Sequence, residues 1–481
     1  MKEENLYKAL QEYFGFSKFK DGQKETLLNL LQQRSTLSIL PTGTGKSLCY
    51  QFYGKYTKQA VLIISPLISL MQDQVEQMKY NKISNTVALT SKLSGNERDY
   101  VLKHLNQFQF IFASPEILQN AYIFNRIKQI NIGLMVVDEA HCIAQWGPDF
   151  RPDYLLLGEI RKKLNNPLVL ALTATATPDV ASEIKKRLNF TSNDVEIRYS
   201  VDRSNIYLAT EILSSASKKD ERLLELISQI KGPGLIYFSS KRKADEIAQL
   251  INQKTSLIAA SYHADLNIED RFSIQHQFID NKLDVICATS AFGMGVNKKD
   301  IRYVIHYHLP GDLESYVQEI GRAGRDGKQS IAILLYAKGD EEIQRQIQLG
   351  SIPNDHEIDY YYKNQKLLEN VQDENLLPLK TYISLGVNEN NLQNFFAKRK
   401  EDKNKALFQM LRYVNTEGCK RQFILNYFQD QKSIMHSEKC CQNNGQYDLN
   451  KLALEYVNSS KKEVNLIMPY QQRLKKLFHV E

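Results

Sequence analysis

The sequence predicts an α/β fold: two tandem parallel-sheet lobes followed by a mostly helical C-terminal subdomain. Three observations carry this expectation. Before residue 200, short apolar runs alternate with amphipathic helical stretches. A second series of the same kind starts near Asn205. After Asp340 the strand signals fade and charged, helix-period sequence takes over. Strands that alternate with helices imply a parallel sheet covered on both faces.

In the first series the candidate strands are Leu37–Leu40, Ala60–Ile64, Phe110–Ala113, Leu134–Val137 and Leu168–Thr173. Each runs into a loop carrying Gly, Pro, Ser or Thr, then a helical pattern. In the second they are Gly234–Phe238, Ser256–Ser261, Asp284–Ala288, Tyr303–His306 and Ile331–Leu335. The expected units are 1–204, 205–340 and 341–448, with a tail over 449–481. A basic run, Lys398, Arg399, Lys400, Lys403 and Lys405, reads as a solvated helix face.

The 481 residues suffice for two or three domains, and 42% hydrophobic with 24% charged residues fits a globular protein. Val61–Leu70, among the longest apolar runs, is interrupted by Ser65, Pro66 and Ser69 and is far from the roughly 18 residues a bilayer demands. Met1–Asn5 has no signal-peptide pattern, so a cytoplasmic protein without a membrane partner is expected. The net charge of +7 permits a polyanionic partner without demanding one. Cys49, Cys142 and Cys287 sit singly among apolar residues and read as buried thiols.

Leu40-Pro41-Thr42-Gly43-Thr44-Gly45-Lys46-Ser47 lies between a strand and a helical pattern. Gly43 and Gly45 let backbone amides approach phosphates; Lys46 would reach the β/γ-phosphates and Ser47 would hold Mg²⁺. Leu40 stands where the strict P-loop pattern has Gly. Val136-Val137-Asp138-Glu139 delivers a second Mg²⁺ ligand, Asp138, at a strand end, with Glu139 placed to orient or deprotonate water. Gln318-Glu319-Ile320-Gly321-Arg322-Ala323-Gly324-Arg325, in the second series, sets two arginines on one helical turn. Both could meet a γ-phosphate bound by the other lobe, although a salt-bridged surface helix is the plain alternative. The acidic pair continues without a break into a loop holding Trp146, the one tryptophan, with Phe150 and Arg151. Flat side chains there suit stacking on bases.

In order, Phe14–Phe16 with Phe19–Gln23, the P-loop, Ser65–Gln74, Asp138–Pro152, Leu172–Thr177, Tyr262–Ala264, Ala288–Gly295 and Gln318–Gly327 resemble the RecQ family of superfamily 2 DNA helicases. The resemblance runs through about residues 6–340 and is weaker to about 445. It implies RecA-like lobes, the first binding ATP. It implies that Gln23 reads adenine between Phe16 and Lys20, where the family usually has Arg. It makes His141 a coupler of the lobes, Arg325 with Arg322 beside it an arginine finger, and Thr173 and Thr175 a link to DNA. Trp146, Phe150, Arg151, Ser65 and Thr289 become DNA contacts. Ala144 and Pro148 replace the family's usual Ser and His.

The resemblance further implies a helical zinc-binding subdomain around Cys419. The family's later C-x-x-C-x-x-C is replaced here by Cys440-Cys441-Gln442-Asn443-Asn444. A zinc site from Cys419, His436, Cys440 and Cys441 is chemically open; a metal-free subdomain, the favoured alternative, would rest on its apolar face. The family's winged-helix and terminal helical modules are expected to be missing. The implied activity is ATP-dependent 3′–5′ unwinding of DNA in repair and recombination, by a monomer acting on single-stranded and tailed duplex DNA. The rivals are a DNA-stimulated translocase or annealing factor without robust unwinding and, less well supported, an RNA helicase.

Overall fold

The computed structural model describes residues 3–90, 93–145, 151–293, 298–350, 352–365, 376–443 and 447–454. The first sheet comprises β1 (Thr36–Ile39), β2 (Ala60–Ile64), β3 (Thr86–Leu89), β4 (Phe110–Ala113), β5 (Ile132–Val137), β6 (Leu168–Thr173) and β7 (Val195–Arg198). Its order is β3-β4-β2-β5-β6-β1-β7, parallel throughout. The second comprises β8 (Ile206–Leu213), β9 (Gly234–Tyr237), β10 (Ala259–Tyr262), β11 (Val285–Ala288), β12 (Tyr303–His306), β13 (Ser330–Ala337) and β14 (Cys441–Asn443). Its order is β10-β11-β9-β12-β13-β8-β14, again parallel.

Ten of these strands lie on the ten apolar runs of the sequence, four to the residue and six with shifted ends; β10 begins at Ala259 rather than Ser256. The central strands are buried along their whole length because helices cover both faces. Each buried Val, Ile or Leu contributes roughly 1.5–3 kcal/mol. The parallel arrangement brings the carboxyl ends of β1, β5 and β6 side by side, where ligands meet such sheets.

Beyond β13 come helices Asp340–Gly350, Asp355–Lys363, Leu377–Ser384, Glu389–Asn415 and Lys420–Tyr427. Ile358, Tyr361, Leu379, Tyr382, Leu392 and Phe396 form a small core of their own, and Leu155 of the first lobe packs at its edge. The far end of this segment is built into the second lobe. Its β14 pairs with β8, and Leu452 and Leu454 pack into the apolar layer beneath that sheet. Residues 449–454, expected to belong to a tail, are therefore held: Lys231 N donates to Leu454 O at 2.8 Å. Among the described residues no helix is long and apolar enough to cross a membrane.

Arg421 fixes this attachment. It is buried, ion-paired to Asp202 at 2.6 Å, and donates to the carbonyls of Arg203, Ile206 and Cys440. Arg421→Ala would leave Asp202 buried with only the more exposed Lys432 beside it. A loss of about 3 kcal/mol is expected, read as a lower urea midpoint; an unchanged midpoint would remove Arg421 from this role.

Candidate active site

β1 feeds the loop Leu40–Lys46, and helix Ser47–Thr57 starts where that loop ends. The positive partial charge of the helix N-terminus therefore faces the loop. Gly43 and Gly45 adopt φ of 88° and 74°, a region costly for any residue with a Cβ. Gln23 donates from Nε2 to Thr44 O at 2.7 Å and Gly45 O at 3.0 Å, while its Oε1 accepts from Lys20 N at 2.9 Å. Lys20 Nζ reaches Gly43 O at 2.8 Å. Gln23 and Lys20 thus brace the loop itself, and Phe16, 54% exposed, stands at the mouth.

A cleft of roughly 700 Å³ is lined by Phe16, Lys20, Gln23, Thr42–Ser47, Asp138, Glu139, Arg322 and Arg325. Every residue expected at a nucleotide thus meets in one place, apart from His141, which lies just behind. Asp138 and Glu139 follow β5. Burial, then the charge of Glu139, pushes the Asp138 carboxyl up to about 7, with Lys46 opposing. Two carboxylates crowded this way suit a divalent cation. Glu139 has φ of 49°, a strained geometry of the kind that accumulates at working sites.

His141 is 1% exposed, lies 3.0 Å from Thr173 Oγ1 and 3.4 Å from Glu139 Oε2, and is held towards its neutral form by burial. Gln318 of the second lobe closes on it: its Nε2 is 3.3 Å from His141 Nε2 and donates to Thr175 Oγ1 at 3.2 Å. One amide therefore touches the acidic segment and the Thr173–Thr175 segment together.

The helix carrying Gln318, Leu313–Ile320, is capped by Asp312 and stops at Ile320. Arg322 and Arg325 accordingly sit in the turn beyond it, which corrects the expectation of one helical turn. The turn lets backbone approach backbone: Thr42 Oγ1 donates to Gly321 O at 2.8 Å, and a Cβ on Gly321 would run into that hydroxyl. Arg325 passes beside Gly43. Burial, then the charges of Arg322 and Arg203, lowers its pKa to about 10, so it is still a cation at neutral pH.

Arg203 was missed in the sequence. Its Nη1 donates to Thr42 O (3.1 Å), Thr42 Oγ1 (3.3 Å) and Gly321 O (3.1 Å), and its Nη2 to Ala323 O (3.0 Å) and Gly324 O (2.7 Å). It fastens the P-loop to the arginine turn. A lone Arg between two lobes carries no motif, and only its spacing two residues before Asn205, which holds Gly324 O and Lys328 O, could have drawn attention.

A second cluster lies at the edge of the second sheet. Cys419 Sγ is 3.5 Å from both Cys440 Sγ and Cys441 Sγ, and Cys441 Sγ is 3.7 Å from His436 Nδ1. All four ligand atoms lie within 4.8 Å of one another. Zn–S bonds of about 2.3 Å place tetrahedral ligands about 3.8 Å apart, so this donor set is compatible with zinc. The pairing of β14 with β8 fixes Cys441, and Arg421 holds Cys440 O, which keeps the adjacent cysteines in place.

Three family models match in succession: DEAD/DEAH box helicase over residues 20–184, helicase conserved C-terminal domain over 218–327, and RecQ zinc-binding over 387–444. The probable ATP-dependent DNA helicase RecS of Bacillus subtilis is 42% identical over 444 residues, spanning 88% of each chain. The ATP-dependent DNA helicase RecQ of the same organism is 34% identical, over 87% of this chain and 64% of that one. This chain belongs to the RecQ family. In fold it is similar to Mss116p bound to ssRNA and AMP-PNP, at 15% identity with a TM-score of 0.60 over 89% of this chain and 90% of that one.

The residues that the RecQ resemblance assigned to DNA are placed unevenly. Thr289 is half-buried at the end of β11. Ser65 is 1% exposed at the end of β2, where its backbone N donates to Ala113 O at 3.1 Å. Arg151 is turned inward, to Pro66 O and to Glu116 at 3.5 Å. Trp146 and Phe150 lie outside the described residues.

Arg203→Ala should let the arginine turn drift from the P-loop. A misplacement near 1 Å costs on the order of 10²-fold in rate, so ATPase kcat should fall by that order with KM little changed. Arg203→Lys should recover little, since an ammonium cannot fork to five acceptors. Wild-type kcat in both variants would show the bridge to be idle.

Proposed function

We propose that this chain is an ATP-dependent 3′–5′ DNA helicase, coupling ATP hydrolysis to translocation along single-stranded DNA and to duplex unwinding in repair and recombination. The observation that carries this is the single cleft in which a P-loop and acidic pair of one lobe face two arginines of the other. Lys46 binds the β/γ-phosphates, and Glu139 orients the attacking water. Arg325, with Arg322 beside it, stabilises charge that develops as the phosphoryl group transfers. Ser47 and Asp138 would hold Mg²⁺, which when bound neutralises phosphate charge. Phe16 and Lys20 sandwich adenine. Gln23 reads its edge only by giving up its bonds to Thr44 and Gly45, which links base recognition to P-loop conformation.

Gln318, His141 and Thr175 support a coupling role, because they join the hydrolytic groups of one lobe to the arginine-bearing helix of the other. The DNA lies across the strand ends of both lobes, past Thr289, with Trp146 and Phe150 stacking on bases. Cys419, His436, Cys440 and Cys441 bind one structural zinc that pins the helical subdomain to β8. The protein works in the cytoplasm as a monomer.

Strand separation on duplexes with a 3′ or a 5′ single-stranded tail tests the activity, with Lys46→Ala as control. Opening of the 3′-tailed duplex alone, abolished in the control, is expected. DNA-stimulated ATPase without opening would instead make the protein a translocase, and better stimulation by RNA would make it an RNA helicase. Elemental analysis should find one zinc per chain, lost in Cys441→Ser together with thermal stability. A metal-free wild-type protein of unchanged stability would overturn the zinc assignment.

A further inference from the structure

The basic run on helix Glu389–Asn415 is not one solvated face. Helical period divides it. Lys398 is exposed, whereas Arg399 and Lys403, one turn apart, look with Ala406 and Gln409 into a cleft of roughly 580 Å³. The opposite wall is made by the second lobe, with Ser239, Thr289 and Ser290 at the carboxyl ends of β9 and β11. Its end wall is Ala144 and Gln145, immediately before Trp146. Arg399 Nη2 donates to Gln145 O at 3.2 Å and so ties the basic helix to the root of that loop.

The acids of this cleft are committed inward. Asp312 caps its own helix at Ser315 N (2.7 Å), Glu314 accepts from Tyr427 OH (2.8 Å) and Glu319 pairs with His306 (2.8 Å). Burial raises the pKa of Glu314 to about 7 and that of Asp312 above its ordinary value, with Lys403 acting on Asp312 in the opposite sense. Asp402 is the further acid on the helix itself. Lys403 adds positive charge along the same wall, while Lys405 is paired with Glu401 at 2.6 Å; hydroxyls line the other wall, and the trench is open to solvent. Hydroxyls opposite cations form the contact set that grips a phosphate backbone irrespective of sequence.

We propose that this cleft binds the phosphate backbone of the single strand as it passes Ala144 and Gln145, so that the helical subdomain forms one wall of the DNA path. The proposal rests on the DNA-translocase reading above. It assigns Arg399 and Lys403 to phosphate contact, and it makes the helical subdomain part of the motor's grip in addition to its attachment to β8.

The test is the salt dependence of binding of the full-length protein to a fluorescein-labelled oligothymidylate, followed by anisotropy. Removing one cation that neutralises a phosphate lowers the slope of log K against log salt by about 0.7 for a single strand. The Arg399→Gln, Lys403→Gln double variant should lose about 1.4 from that slope, Lys403→Arg should retain it, and outward-facing Lys398→Gln should barely alter it. Thermal unfolding of each variant checks that the helix still docks. A slope unchanged in the double variant overturns the cleft, as does an equal loss in Lys398→Gln, which would report general charge alone. Wild-type protein that does not bind the strand at all would instead overturn the DNA reading beneath it.

Discussion

The site depends on a close backbone approach between the two lobes. Thr42 of the P-loop meets Gly321 of the arginine turn, and Arg203 clamps both. No lobe alone has both a phosphate cradle and arginines. Individually the bonds are modest: about 0.5–1.5 kcal/mol for a neutral pair and about 1.5–3 for one with a charged donor. Such a junction holds when a ligand adds contacts on both sides and parts when those contacts go. Gln318 on His141 and Thr175, and Gln275 on Asp73 at 3.0 Å, extend the same seam with polar side chains rather than apolar packing. A polar seam can be broken and remade without exposing large apolar surface, as a cyclic motor requires.

Legibility in the sequence follows the same physics. β2, β4, β6 and β12 were readable to the residue because continuous apolar runs are dictated by burial on both faces. β3 and β7 are four-residue strands with half-buried positions, and β8 merges with the lead into the second lobe. β14, with the sequence Cys-Gln-Asn, has no strand pattern; it exists because β8 supplies a partner. In the site, Lys46, Asp138, Glu139 and Arg325 were legible because phosphate chemistry demands fixed residue types at fixed spacing. Arg203 was not, since four of its five acceptors are backbone carbonyls more than a hundred residues away, and carbonyls leave no trace in a sequence.

The adjacent cysteines show how tertiary structure relieves a local conflict. Two neighbours in one strand point to opposite faces, so both reach one centre only where the chain turns. Here Cys440 ends a turn and Cys441 begins β14, with Arg421 gripping the carbonyl between them. The hydrogen bond from Cys441, opposed by burial and helped by the Arg421 guanidinium, draws the Cys440 thiol down, while the same contact and burial push the Cys441 thiol up, so the pair favours one thiolate rather than two.

The lateral pairing of β14 also bears on how the chain is made. Tyr207 and Gln442, hydrogen-bonded at 3.2 Å, are 235 residues apart. On a ribosome, β8 and β13 emerge and pair long before their neighbour exists, leaving a sheet margin of unpaired amides and carbonyls. Such a margin is a template for any other extended segment, and distant pairing is slow. The nascent second lobe is therefore sticky along one flank until the segment around Cys441 appears, and truncation before that residue turns a transient hazard into a permanent one.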